Sequence, residues 1–559
     1  MNCTHLSPMP EAAGYRRTPD TVMRLARLGV SHPTRLSFLR ILLRRMQQEA
    51  WEFTRPVFDL DARGVGRAVY CAKGPDRTYS LVAFGHDLDP DMRSDRVIAT
   101  AWDATFCLYD GVPGAAELDR LADNVPVQEA GRVTSKELIL SRANRSVRLF
   151  QHVVDALSKG RQPDASDLAA TGYLMRTTAV YGSGKFGAAS FASIADRPEV
   201  SAPFQAEMLT VWLIRTFTVD LVEHIARSIG GETAVTLDPA LKRGLGVGNS
   251  TGLGMAPFLV HHPILLNNWM MVREEALARV RAQNVAGEAE IHGFRAASAA
   301  ARENADTWQS EHPIQVDRLS DLRQGLAQIA THIESEWRPE ADHPWDALWT
   351  WGETHLTNEA QEALLSLMLE PHGALIDGLA TCLQADEASA FTIKGAATVG
   401  EVLDLFDQNY AWALRTDYAD KSACARFWYV SEDKLEPRLG ERFEEPGGGL
   451  ELPLDIGRRA AALWASLQTR PRSEPISRLL LAEPNHRIMV RRVQMTRGRP
   501  FAEIRDNLIA SEMLPIDMLR CKLAFFGATR FDPRSDRWVR ISLFQNCPYP
   551  DTLIREGIV

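Results

Sequence analysis

The chain has 559 residues with a formal net charge of -9, and 45% of them are hydrophobic and 24% charged. This composition is that of a globular protein with about three or four domain-sized units, and the acidic balance argues against non-specific nucleic-acid binding. The seven cysteines form no Cys-x-x-Cys pair, which is typical of a reducing compartment and argues against a disulfide framework or a zinc motif.

The beginning of the chain predicts no secretory or membrane segment. Residues 1–17 contain no apolar run. The most apolar window, residues 252–272, is interrupted by histidine, proline and asparagine. We therefore expect a cytoplasmic protein without membrane contact.

The first part of the chain predicts a tail followed by a small mixed unit. Residues 1–19 are expected to form a flexible tail, and residues 20–112 a helix plus a small antiparallel sheet. Apolar residues recur at helical spacing, and Pro33 should interrupt that helix. The helix is expected over 21–53, and strands over 57–60, 67–72, 78–84 and 96–109, with a turn at 73–77.

Residues 113–385 are expected to form a helical core that contains two glycine-rich loops. The 3.6-residue period predicts helices over 136–158, 203–229, 263–283, 317–336 and 358–382. The second of these helices carries acidic residues and one histidine, which we interpret as a solvated polar face: Glu207, Asp220, Glu223 and His224.

Residues 386–559 are expected to form a mixed α/β region. Strands are predicted over 424–430, 486–495 and 538–544, a turn or link at 447–449, and a helix over 455–467. The overall fold class is therefore α+β, with a predominantly α-helical centre flanked by small antiparallel or mixed β-sheet regions. An alternative is that strands from both ends of the chain join one sheet.

A group of arginines in this last region has two interpretations. The group comprises Arg487, Arg491, Arg492, Arg497 and Arg499. It could bind an acidic ligand or a phosphate. Because the chain is acidic overall, internal salt bridges with nearby carboxylates are the favoured interpretation.

The most informative motif is the glycine-rich run from Gly244 to Pro257, in which five glycines surround an Asn-Ser-Thr triplet. A glycine-rich loop that opens a helix turns several backbone N–H groups toward one point, where an anion can bind. Substrate contacts are predicted for Gly248, Asn249, Thr251 and Gly252, and proton transfer for Ser250. The alternative is a tightly packed connection that binds nothing. The run matches neither a Walker loop nor a dinucleotide-binding fingerprint.

A second motif covers residues 176–187, where three glycines accompany one of only nine lysines in the chain. Arg176, Thr177, Tyr181 and Ser183 are predicted to bind the substrate, and Lys185 to take part in catalysis, because cations and hydroxyl donors hold carboxylates and phosphates. The alternative is a solvated loop. The predicted helix 203–229 separates the two motifs by about 40 Å, so they should lie at its opposite ends unless the chain returns.

His261, followed by His262 and Pro263, is the third candidate. Histidine can act as a general acid or base near neutral pH, and a structural role at the start of a helix is the alternative. No histidine, cysteine and carboxylate set has metal-ligand spacing here, so no metal is expected. The sequence indicates no particular cofactor.

The run from Gly248 to Pro257, followed by His262-Pro263-Ile264, resembles the signature loop of the fumarase and argininosuccinate lyase superfamily. That loop contains Gly-Ser-Ser, then Met-Pro, a lysine, and Asn-Pro. The resemblance implies a helix-rich architecture and a role for Ser250 as the base in an elimination. It covers about 16 residues of 559; Met255 and Pro257 are not adjacent, and the lysine is missing.

Together these motifs predict an enzyme that acts on a small anionic metabolite bearing a carboxylate or phosphate, with a lyase-type elimination or addition as the reaction. One alternative is a non-catalytic assembly or regulatory protein whose helices form a homo-oligomer interface. Another is a nucleotide- or phosphate-binding enzyme. The expected partner is the small-molecule substrate, without membrane or nucleic acid.

Overall fold

The computed structural model describes residues 12–92, 101–128, 130–177, 194, 196–252, 263–310, 313–383, 391–420, 453–505, 515–528, 530–535 and 538–554. The chain divides into two compact units, each assembled from separate stretches. The first unit comprises Met1–Leu36, Gly252–Phe525 and Pro533–Val539, and the second comprises Ser37–Thr251, Phe526–Asp532 and Arg540–Val559. The predicted boundaries after residues 19, 112 and 385 stay a prediction.

A mixed β-sheet is the main feature of the second unit. Its described strands are β1 Glu52–Leu60, β2 Gly66–Lys73, β3 Thr78–Gly85, β4 Ala104–Asp110, β5 Glu137–Arg145, β6 Tyr173–Thr177, β7 Gly246–Gly252, β8 Arg530–Ser535 and β9 Trp538–Leu543. They lie in the order β1-β2-β3-β4-β5-β6-β7-β9-β8. Strands β1 to β6 pair antiparallel, whereas β6 and β7 pair parallel. The mixed α+β class is confirmed, and strands from both ends of the chain join one sheet.

The central strands of this sheet are buried on both faces. On one face, Phe217 of a long helix packs against the rings of Tyr70 and Phe106. On the other face, Val82 and Cys107 belong to an apolar cluster that includes residues of a second helix. Because neither face is solvated, β3 is a continuous run of buried residues rather than an alternating one.

The helices of the second unit cover this sheet. They are α3 Phe38–Gln48, α4 Ala115–Asn124, α5 Phe150–Ser158, α6 Ala165–Thr171, α7 Gln205–Gly230 and α8 Pro239–Arg243. The long helix predicted over 203–229 is confirmed by α7, which ends where Gly231 adopts a φ of +54°. Within α7, the guanidinium of Arg215 is almost fully buried and donates hydrogen bonds to the carbonyls of Leu245, Arg243 and Cys547.

The prediction of a single helix over 136–158 is wrong in its first half. Residues 137–145 form β5, which pairs with β4 and β6, and only α5 is helical. The run Leu138-Ile139-Leu140 is short and fully buried. Such a run has no periodicity that separates a buried strand from a buried helix.

The first unit is mainly helical in its described part, with short pieces of β8 and β9 in addition. Its helices are α1 Pro19–Val22, α2 Leu25–Leu28, α9 Pro263–Arg281, α10 Glu288–Thr307, α11 Pro313–Ser335, α12 Pro344–His355, α13 Asn358–Leu369, α14 Gly373–Ala380, α15 Val399–Asn409, α16 Ala411–Leu414, α17 Pro453–Gln468, α18 Ile476–Ala482, α19 Arg487–Met495 and α20 Pro515–Phe526. The structure confirms the predicted helices 263–283, 317–336 and 455–467. The single helix predicted over 358–382 is instead two helices, α13 and α14, which are separated around Pro371. None of the helices in the described ranges is both long and apolar enough to span a bilayer.

The strand predicted over 486–495 is wrong, because these residues form α19. Met489, Val490 and Val493 are buried at helical spacing, while Arg487 is exposed. The two valines of this run therefore lie on one buried helical face, together with Met489. The predicted strand 424–430 and the turn at 447–449 lie outside the described residues.

A buried ion cluster joins three elements of the first unit. Arg17, which precedes α1, donates a pair of hydrogen bonds to Glu274 of α9 and another to Glu362 of α13. Arg273 forms further ion pairs with both carboxylates. Although burial opposes charge, Arg17 and Arg273 hold the pKa of Glu362 well below its usual range. In the described part of the predicted tail, Arg17 is thus buried in a salt-bridge network.

Candidate functional site

The two glycine-rich motifs begin on neighbouring strands. The 176–187 motif starts in β6, and the 244–257 motif enters β7 at Gly246, with Tyr173 opposite Gly246 and Arg176 opposite Gly248. Because β6 and β7 are parallel, the chain leaves both strands at the same edge of the sheet. The chain returns after α7, so the two motifs start side by side rather than at opposite ends of that helix.

Helix α7 begins over this same edge. Trp212 packs against Phe53 near the start of β1, whereas Leu221 lies against Gly64, beyond the end of β1. Strands β1 to β6 alternate in direction, so β6 ends at the edge where β1 begins. The N-terminus of α7, which carries a partial positive charge, is therefore on the side of the sheet where β6 and β7 end.

Two glycines of the 244–257 motif serve close packing. A Cβ at Gly246 would lie 2.4 Å from the backbone oxygen of Leu543, and a Cβ at Gly248 would lie 2.5 Å from the ring of Tyr173. The amide of Gly246 donates to the carbonyl of Gly172. Residues 246–252 thus form a strand rather than the expected loop, and these glycines are needed because neighbouring groups approach the backbone closely.

Asn249 joins the ends of the two strands. Its side chain is 1% exposed, and its Nδ2 donates to the carbonyl of Thr177 over 3.2 Å. Its Oδ1 has no hydrogen-bond partner among the described residues. The hydroxyl of Thr177 in turn lies 2.7 Å from that of Ser141 on β5. A buried acceptor is normally satisfied, so Asn249 offers an oxygen to a donor at this edge.

Glu207 is a candidate that the sequence interpretation missed. It lies in the first turn of α7 and has no ion pair with any described residue. Although the residue keeps part of its surface exposed, burial of the carboxyl group raises its pKa to about 7. Carboxyl groups that titrate near neutral pH are typical of acid–base sites. Its neighbours Ala206, Met208 and Leu209 are apolar, and this was the signal available in the sequence.

The other three residues of the predicted polar face have structural partners. Asp220 accepts hydrogen bonds from Arg55 and from the hydroxyl of Tyr70. Glu223 accepts one from the amide of Leu237, and His224 contacts the carbonyl of Asp61. The predicted solvated face is therefore a set of contacts to neighbouring segments, and Glu207 differs from the rest in lacking such a contact.

The structure brings four of the predicted site residues together: Arg176, Thr177, Gly248 and Asn249. Arg176 is half-buried in β6 beside Asn144 of β5. Ser250, Thr251 and Gly252 belong to β7, but their side chains lie outside the described part of the chain. Four further predicted residues also lie outside it: Tyr181, Ser183, Lys185 and His261.

A serine, a glutamate and a histidine meet in the first unit, but not as a nucleophilic triad. Ser466 Oγ lies 2.8 Å from Glu483 Oε2 and 3.1 Å from His486 Nε2. Glu483 Oε2 lies 3.2 Å from the same ring nitrogen. In a triad the acid and the hydroxyl bind opposite ring nitrogens, so this cluster has the geometry of a structural contact between α17 and the segment before α19.

The predicted internal salt bridges of the C-terminal arginines form in part. Arg492 binds the buried carboxylate of Glu503, and Arg497 binds Glu401 over 3.1 Å. In contrast, the guanidinium groups of Arg491 and Arg499 lie near the ring of Phe391. Within the described ranges, no group of three or more histidine, cysteine and carboxylate side chains is arranged to hold a metal ion.

No protein-family model, curated protein or solved structure matches this chain.

Proposed function

We propose that this chain is an enzyme acting on a small anionic metabolite at the edge of the second unit where β6 and β7 end. The parallel pairing of these two strands carries the proposal, because it starts both glycine-rich motifs from neighbouring positions. Strand β6 is antiparallel to β5 and parallel to β7, so the pairing direction changes at β6. Ligands of α/β sheets commonly bind beyond the carboxyl ends of parallel strands.

The anion would be held by cations and by N–H groups. Arg176 can bind a carboxylate or phosphate through two parallel hydrogen bonds, and Lys185 would add a second positive charge. The start of α7 supports the same preference for negative charge. The remaining predicted contacts come from Thr177, Tyr181, Ser183, Gly248, Asn249, Thr251 and Gly252.

A lyase-type elimination or addition needs one group that moves a proton and positive charge that stabilises the resulting anion. Ser250 and His261 are the candidates from the sequence for the proton transfer. Glu207 is the candidate from the structure, because a carboxyl group with a pKa of about 7 is present in both protonation states at neutral pH.

The first test is whether small anions stabilise the folded chain. We expect inorganic phosphate or fumarate to raise the thermal unfolding temperature of the wild type, since a ligand that binds only the native state stabilises it. Arg176→Ala should lose this response. Arg161→Ala is the matched control, because Arg161 is exposed in the same unit, and it should keep the response.

A second measurement follows the reaction itself. We expect elimination from hydroxy- or amino-substituted dicarboxylates to be detected by the ultraviolet absorbance of the unsaturated product, and Ser250→Ala or Lys185→Ala to reduce turnover. Full turnover in both variants would contradict the assigned roles. An absence of any anion response in the wild type would instead favour the alternative of a non-catalytic assembly protein.

A further inference from the structure

The first unit contains a cavity of about 340 Å³ between α15, the segment before it, and the end of α19. Its floor is apolar and includes Ala397, Val402 and Leu405, while Lys394, Arg497 and Arg499 line it as cations. This volume lies at the lower end of the range of small-molecule sites. The cavity thus combines an apolar interior with positively charged walls.

The charges around this cavity are unbalanced. Glu401 is the acidic residue of the lining, and both of its oxygens are used: Oε1 by Arg497 and Oε2 by the amide of Thr398. Lys394, Arg491 and Arg499 form no salt bridge with any described residue. The lining therefore holds three cations, Lys394, Arg497 and Arg499, and one carboxylate, and the mutual repulsion of these cations would fall if an anion entered.

The aromatic wall is held in a fixed position. Phe391 lies 5.9 Å from the guanidinium carbons of both Arg491 and Arg499. Arg491 Nε also donates to the carbonyl of Phe391 over 3.2 Å. Gln494 exchanges two hydrogen bonds with the backbone of Lys394, at 2.8 and 3.0 Å. The segment that carries Phe391 and Lys394 is therefore attached to α19 before any ligand binds.

We infer that this cavity binds a small amphipathic anion, in which a carboxylate or phosphate is attached to a flat apolar group. The apolar group would lie against Phe391 and Val402, and the anionic group would face Lys394 and Arg499. The inference is independent of the function proposed above, because none of these residues belongs to the edge formed by β6 and β7.

The test uses the full chain and isothermal titration calorimetry. The probes are phenyl phosphate and benzoate, and the comparators are inorganic phosphate and acetate. We expect at least one aryl anion to bind at least tenfold more tightly than its comparator, because burial of the ring adds to the charge interaction. Tighter binding of phenyl phosphate would identify the ligand's anionic group as a phosphate ester, and tighter binding of benzoate would identify it as a carboxylate.

Arg499→Ala and Lys394→Ala should each weaken this binding by about tenfold, as expected for loss of a hydrogen bond to a charged group. Arg487→Ala is the matched control, since Arg487 is exposed at the start of α19 and does not line the cavity. Arg176→Ala, which alters the other proposed site, should leave the affinity for the aryl anion unchanged.

Gly498→Trp provides a variant that fills the cavity, because a Cβ at Gly498 would meet no atom within 4 Å. It should abolish binding while the unfolding temperature stays close to that of the wild type. The inference is overturned if the wild type binds neither aryl anion, if Arg499→Ala and Arg487→Ala bind equally well, or if the comparators bind as tightly as the aryl anions.

Discussion

The side-chain amide of Asn249 donates a hydrogen bond to the backbone carbonyl of Thr177, and so links β7 to the last residue of β6. Asn249→Ala removes this donor and its hydrogen bond to a buried residue. We expect the free energy of unfolding to fall by about 1–3 kcal/mol. Urea denaturation measures the change, and the exposed Asn485→Ala serves as control. Equal stability of the two variants would show that the link is energetically unimportant.

Gly248→Ala tests whether the glycine in β7 is required by packing. The added Cβ would overlap the ring of Tyr173, so we expect destabilisation of about 1–3 kcal/mol. For Gly378→Ala we expect the opposite effect, because Gly378 is exposed within α14 and a Cβ added there would meet no atom within 4 Å. It should stabilise the chain by roughly 0.5–1 kcal/mol. A wild-type unfolding temperature for Gly248→Ala would contradict the close approach of Tyr173.

Glu207 should make stability depend on pH around neutrality. Burial raises its pKa from 4.5 to about 7, so the folded state favours the protonated form. The stability that the protonated Glu207 contributes to the folded state is fully present below pH 4.5 and is lost as the pH rises through 7. Because glutamine carries no charge, Glu207→Gln should raise the free energy of unfolding at about pH 8 by on the order of 1–3 kcal/mol. At about pH 4 the same substitution should change the free energy of unfolding little. Thermal unfolding at both pH values measures the difference, and a stabilisation that is equal at both would contradict the raised pKa.

Glu362 should have the opposite pH dependence. The pKa of Glu362 is held below the ordinary value of 4.5. The stability that its ionised carboxylate contributes to the folded state is therefore present above pH 4.5 and is lost as the pH falls. Glu362→Gln removes the negative charge between Arg17 and Arg273 and should destabilise the neutral protein by about 3–5 kcal/mol. The exposed Glu340→Gln is the control. The difference between wild type and Glu362→Gln should shrink in acid, and a constant difference would exclude a charge-based role.

Local patterns were sufficient to predict the helices α7, α9, α11 and α17, whereas others such as α10 and α12 were not recognised. The spacing of apolar residues, together with glycine at the end of α7, indicated that helix within about two residues at each end. The same approach failed at β5 and at α19, where short runs with β-branched residues do not distinguish the two conformations until their neighbours are known. Tertiary contacts decide these segments.

In the candidate site, too, the sequence indicated the residues, whereas tertiary structure decides how they are arranged. Arg176 and Asn249 were recognised from the sequence, but their proximity depends on a parallel pairing of strands that are separated by α7. The raised pKa of Glu207 could not be anticipated either, since it depends on burial rather than on its spacing from other acidic residues. Residue types can be read locally, whereas geometry and electrostatics depend on the assembled unit.

The contacts of Arg215 have a consequence for synthesis of the protein on the ribosome. Its guanidinium is buried and donates to the carbonyls of Cys547 and Pro548, which lie 332 and 333 residues later in the chain. A nascent polypeptide that has reached only α7 lacks these acceptors, and so must keep a cation hydrated or shielded until residues 547 and 548 have been made. We therefore expect the second unit to reach its native state only after residues 547 and 548 have left the ribosome, although its antiparallel strands are made early.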